Sequence, residues 1–87
     1  MSKPPVPSGF HALSEPIRIQ IIELLQEGEL CVGDLCQKLG MAQPKISFHL
    51  KTLKMSGLVT SESRGRWVYY RLNTEQFARL EEYLSEY

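Results

Sequence analysis

The 87-residue sequence predicts a small, mainly α-helical domain carrying one β-hairpin, an α+β fold. Three observations predict it. Apolar residues recur at helical spacing in segments that end at Gly28, Gly40 and Gly57. Only Met41 and Ala42 separate two of those segments after Gly40, the spacing of a helix-turn-helix. Farther on, Arg64-Gly65 precedes Trp67, Val68, Tyr69 and Tyr70, a run of strand formers behind a turn signal. A chain of this size buries about 60–65% of its unfolded surface, which supports a single, marginal core.

Each element has a local cause. Residues 1–7 contain Pro4, Pro5 and Pro7 and read as an extended, mobile arm, because proline blocks helix interiors and ladder donors. The domain then occupies residues 8–87. Ser8 to Leu13 reads as a short first helix. Ser14-Glu15-Pro16 starts a second, with proline tolerated in the first turn and Gly28 as the stop. Its apolar stripe is Ile19, Ile22 and Leu25, widened by Ile21 and Leu24.

The third helix opens with Cys31 at the N-cap and Asp34 three residues on, placed to reach back to the cap N–H. Val32, Leu35, Cys36 and Leu39 form its inward face. The fourth runs from Gln43 to Ser56, with Pro44 in its first turn and Ile46, Leu50 and Leu53 inward. Leu58 to Ser63 and Arg66 to Leu72 form the hairpin. Period two puts Val68, Tyr70 and Leu72 on one face and Trp67, Tyr69 and Arg71 on the other. Asn73-Thr74 caps a last helix, Glu75 to Tyr87, whose stripe is Phe77, Leu80, Tyr83, Leu84 and Tyr87. That stripe is too apolar for a free helix on so small a body and calls for the core or a partner. Helices, a helix-turn-helix and then a hairpin make the order of a winged helix-turn-helix.

Net charge is zero, ten basic against ten acidic residues, which taken alone speaks against a nucleic-acid protein. The distribution reverses that. From Gln43 to Arg71 there are six Lys/Arg and one acid, Glu62, a balance of +5; the rest of the chain has four against nine, a balance of −5. A basic face on an acidic body suits a polyanion. No apolar run approaches the roughly 20 residues of a membrane helix. The first residues lack the apolar stretch of a secretory signal, so Cys31 and Cys36 read as thiols of a cytoplasmic protein. No Gly-rich phosphate loop, carboxylate pair or Cys-His-Asn arrangement argues for an enzyme.

Four segments, in order and spacing, resemble the ArsR/SmtB family: Glu29-Leu30-Cys31-Val32-Gly33-Asp34-Leu35-Cys36, Gln43-Pro44-Lys45-Ile46-Ser47-Phe48-His49-Leu50, Ser56-Gly57-Leu58-Val59, and Gly65-Arg66-Trp67-Val68-Tyr69-Tyr70-Arg71-Leu72. Within the family the chain looks most like the arsenical-resistance repressors. The resemblance implies a cytoplasmic bacterial repressor that binds a palindromic double-stranded operator as a homodimer, without crossing a membrane. It implies dimerisation through the first and last helices, here Phe10, Leu13, Phe77, Leu80, Leu84 and Tyr87.

At about 100° per residue, Pro44, Ser47, Phe48, Lys51 and Met55 point away from the core side of the fourth helix. The start of such a helix meets base edges in the major groove. Gln43 suits adenine, Ser47 several bases, and Lys45 or Lys51 guanine or phosphate. Phe48 on that face suits a thymine methyl, or is a stray surface aromatic. Pro44, Thr52 and Lys54 complete the expected surface, and Arg64 and Arg66 at the hairpin tip are expected on phosphate or in the minor groove. His49 reads as a half-buried structural residue.

The resemblance also implies an inducer, arsenite or antimonite, held by thiolates of Cys31 and Cys36, with no resident cofactor. The arsenical repressors place three cysteines here; this chain has Gly33 at the middle position. Residues five apart on a helix lie about 140° apart and roughly 8–9 Å at Cα, beyond the ~7 Å reach of a disulfide. A shared ion therefore needs the first turn to unwind. Against that stand Cys31 as a cap residue and Cys36 as a small core hydrophobe; for it stands the helix N-terminus, which favours the thiolate that binds soft ions. A regulator of this type without metalloid sensing, and a winged-helix protein-interaction module, remain open alternatives.

Overall fold

The computed structural model describes residues 3–87. In chain order the elements are α1 (Val6–Ala12), α2 (Pro16–Leu25), β1 (Leu30–Cys31), α3 (Val32–Leu39), α4 (Gln43–Met55), β2 (Val59–Arg64), β3 (Trp67–Leu72) and α5 (Thr74–Leu84). The strands form one antiparallel sheet in the order β1-β3-β2. The fold is a winged helix-turn-helix.

The expected N-cap positions are occupied at α2, α3 and α5, but Glu15 and Asn73 make no side-chain cap bond, and Asn73 Nδ2 instead donates to the Gly57 carbonyl at 2.9 Å. Asp34 Oδ2 accepts from the Cys31 backbone N–H at 3.4 Å, so the predicted cap of α3 forms. Gly40 takes a left-handed conformation, φ 64°, and the following Met41 N–H reaches back to the Cys36 carbonyl at 3.2 Å. A side chain at Gly40 would be strained in that turn, which sets α3 against α4. Ile21, Leu25, Leu35, Ile46, Leu50, Leu53, Leu58 and Val59 fill the core between α2, α3, α4 and the base of the sheet.

Four expectations need correction. The expected arm of residues 1–7 is cut short, because α1 already begins at Val6 with Pro7 in its first turn, where proline needs no donor. Pro4 is half-buried: its carbonyl accepts from Arg79 Nη1 at 2.6 Å, and Lys3 pairs with Glu75. Met1 and Ser2, also assigned to that arm, lie outside the described residues. On α2 the buried face is Arg18, Ile21, Ile22 and Leu25, while Ile19 is exposed. The stripe is thus turned by one residue and contains a charge.

The short strand β1 was not expected; Leu30 pairs with Tyr70 and Cys31 with Tyr69, so the wing sheet has three strands. Finally, α5 ends at Leu84, leaving Tyr87 beyond the helix, and Leu80 is only 4% exposed. Leu80 packs on α1 at Gly9, where an added Cβ would sit 2.8 Å from Leu80 Cδ2. It belongs to the protomer's own core, so it has little surface left for a partner.

Candidate nucleic-acid interface

Helix α4 carries a sharp division of faces. Ile46, Leu50 and Leu53 are fully buried, and this anchoring turns Gln43, Pro44, Lys45, Ser47, Phe48, Lys51, Lys54 and Met55 to solvent. Phe48 is 64% exposed, and its ring meets that of His49 edge to face at 5.3 Å. Thr52 differs from the rest of the expected set. It is half-buried, its hydroxyl donates to the Phe48 carbonyl at 3.4 Å, and it faces a groove shared with Pro7 and His11 of α1.

The wing completes the surface. Arg64 and Arg66 flank Gly65 at the tip, and Arg64 pairs with Trp67 across the turn. The two arginines are not equivalent. Arg64 donates to Glu62 Oε1 through Nε at 2.8 Å and to Glu29 Oε2 through Nη2 at 2.9 Å, and its guanidinium lies 4.9 Å from the Tyr69 ring centre. Those partners hold Arg64 further toward its charged form, and its hydrogen bond holds Glu29 below the usual carboxylate range. Arg66 is exposed and makes no ion pair among the described residues. Arg66, Trp67 and Val68 close a cleft with Gln43 of α4 and with Cys31, Val32 and Gly33 of α3. The start of α4, the wing tip and the first cysteine therefore meet in one place.

Comparison with known proteins also finds the winged helix-turn-helix. Residues 15–61 match the family model described as bacterial regulatory protein, arsR family. The chain belongs to the arsR family. It is 51% identical over 65 residues to the arsenical resistance operon repressor of Escherichia coli K12, covering 74% of this chain and 56% of that protein. The chain thus spans about half the length of that relative. A crystal structure described as a possible transcriptional regulator for arsenical resistance superposes with a TM-score of 0.83 at 33% identity, covering 91% of this chain and 82% of the other. A solution structure from Mycobacterium bovis, described as a homodimeric winged helix-turn-helix DNA-binding domain, gives 0.79 at 35% identity, covering 92% and 74%.

Two further surfaces lie on the terminal helices and on α3. At the terminal helices, Phe10 of α1, Leu13 just after it, and Phe77, Leu80 and Leu84 of α5 line one apolar groove, with Tyr83 5.9 Å from Phe10 and 5.4 Å from Tyr87. Leu84 and Tyr87 are exposed there. On α3, both cysteines are free thiols and half-buried, and the Cys31 thiol donates to Asp34 Oδ2 at 3.2 Å. With α3 intact from Val32, Cys36 sits more than a turn along from Cys31, so the two do not converge. No group of three or more His, Cys, Asp or Glu able to hold a metal ion exists among the described residues.

Sequence reasoning missed Arg18, Glu29 and Trp67. Arg18 had a signal: residues 18, 21, 22 and 25 are as good a helical stripe as 19, 22 and 25, apart from the charge. The Glu29–Arg64 contact, 35 residues apart, had none.

Proposed function

We propose that the protein is a transcriptional repressor that binds a palindromic operator as a homodimer in the bacterial cytoplasm. The observation that carries this reading is the outward, exposed face of α4 with Lys45, Lys51 and Lys54, whose first residue, Gln43, shares one cleft with Arg66 of the wing, on an arsR-family chain. Gln43, Pro44, Lys45, Ser47, Phe48 and Lys51 read the major groove, Lys54 and Arg66 hold phosphate, and Arg64 and Thr52 act through their neighbours. Phe10, Leu13, Phe77 and Leu84, which share one apolar groove, and Tyr87, exposed beside Tyr83, form the interface between copies. Arsenite or antimonite is the inducer class we assign, on the names of the relatives and the two partly accessible thiols.

Binding such an ion through both Cys31 and Cys36 requires the first turn of α3 to open and the Cys31–Asp34 contact to break. That change starts beside Gln43 and Arg66 and disturbs the DNA-binding surface directly. The test is fluorescence anisotropy on duplexes that the wild-type chain selects from a randomised pool, with and without arsenite. Release of wild type, and retention by Cys31→Ser and Cys36→Ser, is the expected result. Equal behaviour of all three with arsenite and antimonite removes the inducer from the reading and leaves the repressor.

A further inference from the structure

Arg18 is the most buried charge in the described structure, 5% exposed, and no carboxylate pairs with it among the described residues. A buried cation without a partner is costly, so its acceptors matter. Nε donates to the Ala12 carbonyl at 2.7 Å and Nη2 to the His11 carbonyl at 3.5 Å. Both carbonyls lie at the C-terminal end of α1, where a cation is favoured. Nη1 donates to His49 Nδ1 at 3.2 Å. Guanidinium has no acceptor, so Nδ1 must accept and the ring is neutral with its proton on Nε2. His49 is 8% exposed and lies on α4, next to the outward-facing Phe48.

We infer that Arg18 and His49 are positioning residues for DNA recognition: together they lock the reading helix α4 to the end of α1, and so set the angle at which two copies of α4 meet a duplex. The inference rests on the reading of the chain as a dimeric DNA binder. Its physical basis is directional. The apolar contacts of Ile46, Leu50 and Leu53 hold α4 in the core but tolerate small rotations and slides. Three hydrogen bonds from one rigid guanidinium to two helices do not. Because α1 shares its apolar groove with α5, orientation of α4 relative to α1 becomes orientation relative to the partner copy. Half-sites lie about 34 Å apart, so a small tilt at α4 becomes a mismatch in spacing.

The charge environment supports a neutral ring. Burial first, then the Arg18 charge, pull His49 below its ordinary histidine value; Lys45 on α4 acts the same way and Glu15 at the start of α2 opposes them. From α1 the His11 and Ala12 carbonyls accept from Arg18.

The experiment uses the full chain and the duplexes that wild type selects from a randomised pool, each also made with one base pair inserted or deleted at its centre. Wild type should bind the altered duplexes at least about tenfold more weakly, since the half-sites no longer match a fixed dimer. Arg18→Met and His49→Leu should discriminate by about threefold or less, while His49→Gln, which keeps an acceptor oxygen, restores the wild-type ratio. Should Arg18→Met not fold, Arg18→Lys takes its place and should give an intermediate ratio. In the folded Arg18 variant the His49 proton NMR midpoint should rise. Variants that lose thermal stability but keep wild-type discrimination overturn the inference and leave the dimer reading intact. A wild-type chain that enriches no duplex overturns both.

Discussion

The reading helix and the wing tip share one basic surface but are held in place by opposite means. Helix α4 is fixed from inside, by Ile46, Leu50 and Leu53 in the core and by His49 on buried Arg18. The wing tip is fixed from outside, by Arg64 on Glu29 and Glu62, all in contact with solvent. Buried contacts are insensitive to salt, whereas exposed ion pairs weaken with it. The difference teaches that the seating of α4 should withstand added salt, while the Arg64 contacts at the wing tip should weaken with it.

The strongest way to break this comparison is to unseat the helix. Leu50→Ala should cost about 2–5 kcal/mol in urea unfolding, because it leaves a cavity between α4 and its neighbours. A loss of well under 1 kcal/mol would mean that α4 is not core-anchored. Removing a reader without moving the helix comes next. Lys51→Ala should weaken binding to the selected duplex much more than to random DNA, by about five- to one-hundredfold if it makes a base contact. Arg66→Ala should weaken both alike and lower the salt slope by about one. Equal salt slopes for Arg66→Ala and wild type would remove the free wing arginine from the phosphate contacts.

Acidity sharpens the contrast further. The folded state holds His49 below its usual value, so unfolded chains take that proton first; stability should fall as pH drops below about 6.5 and level off once the folded ring titrates. His49→Gln should flatten that part of the curve. Glu29 is also depressed, but by an exposed partner; its contribution is present above about pH 4.5 and is lost as pH falls through its lowered value. The smallest effect belongs to Glu29→Gln. Its melting temperature should stay close to wild type, while its DNA affinity at low salt rises as Arg64 is released. An unchanged affinity would show that Arg64 never reaches the duplex.

The expected surface on α4 was legible because its signals are local. Pro44 and Gly57 bound the helix, and Ile46, Leu50 and Leu53 orient it, so the outward residues follow by rotation alone. Thr52 shows where rotation stops being enough: α1 lies over it, and nothing in α4 announces that neighbour. Leu80 fits the α5 stripe as well as Leu84 does. What sends one to the core and the other to the surface is Gly9, whose missing side chain lets α5 close on α1.

The sequence by itself determined the helices, the turn at Gly40, the hairpin and the segregation of charge. Each follows from spacing, capping or backbone freedom within a few residues. Only the tertiary structure decided that Arg18 would be buried against His49, that Glu29 would take Arg64, and that Leu30-Cys31 would join the wing sheet. Those partners lie 31 to 40 residues apart along the chain. Their meeting depends on how whole elements pack, and an arginine on a helical stripe carries no mark of which carbonyls and which ring will surround it.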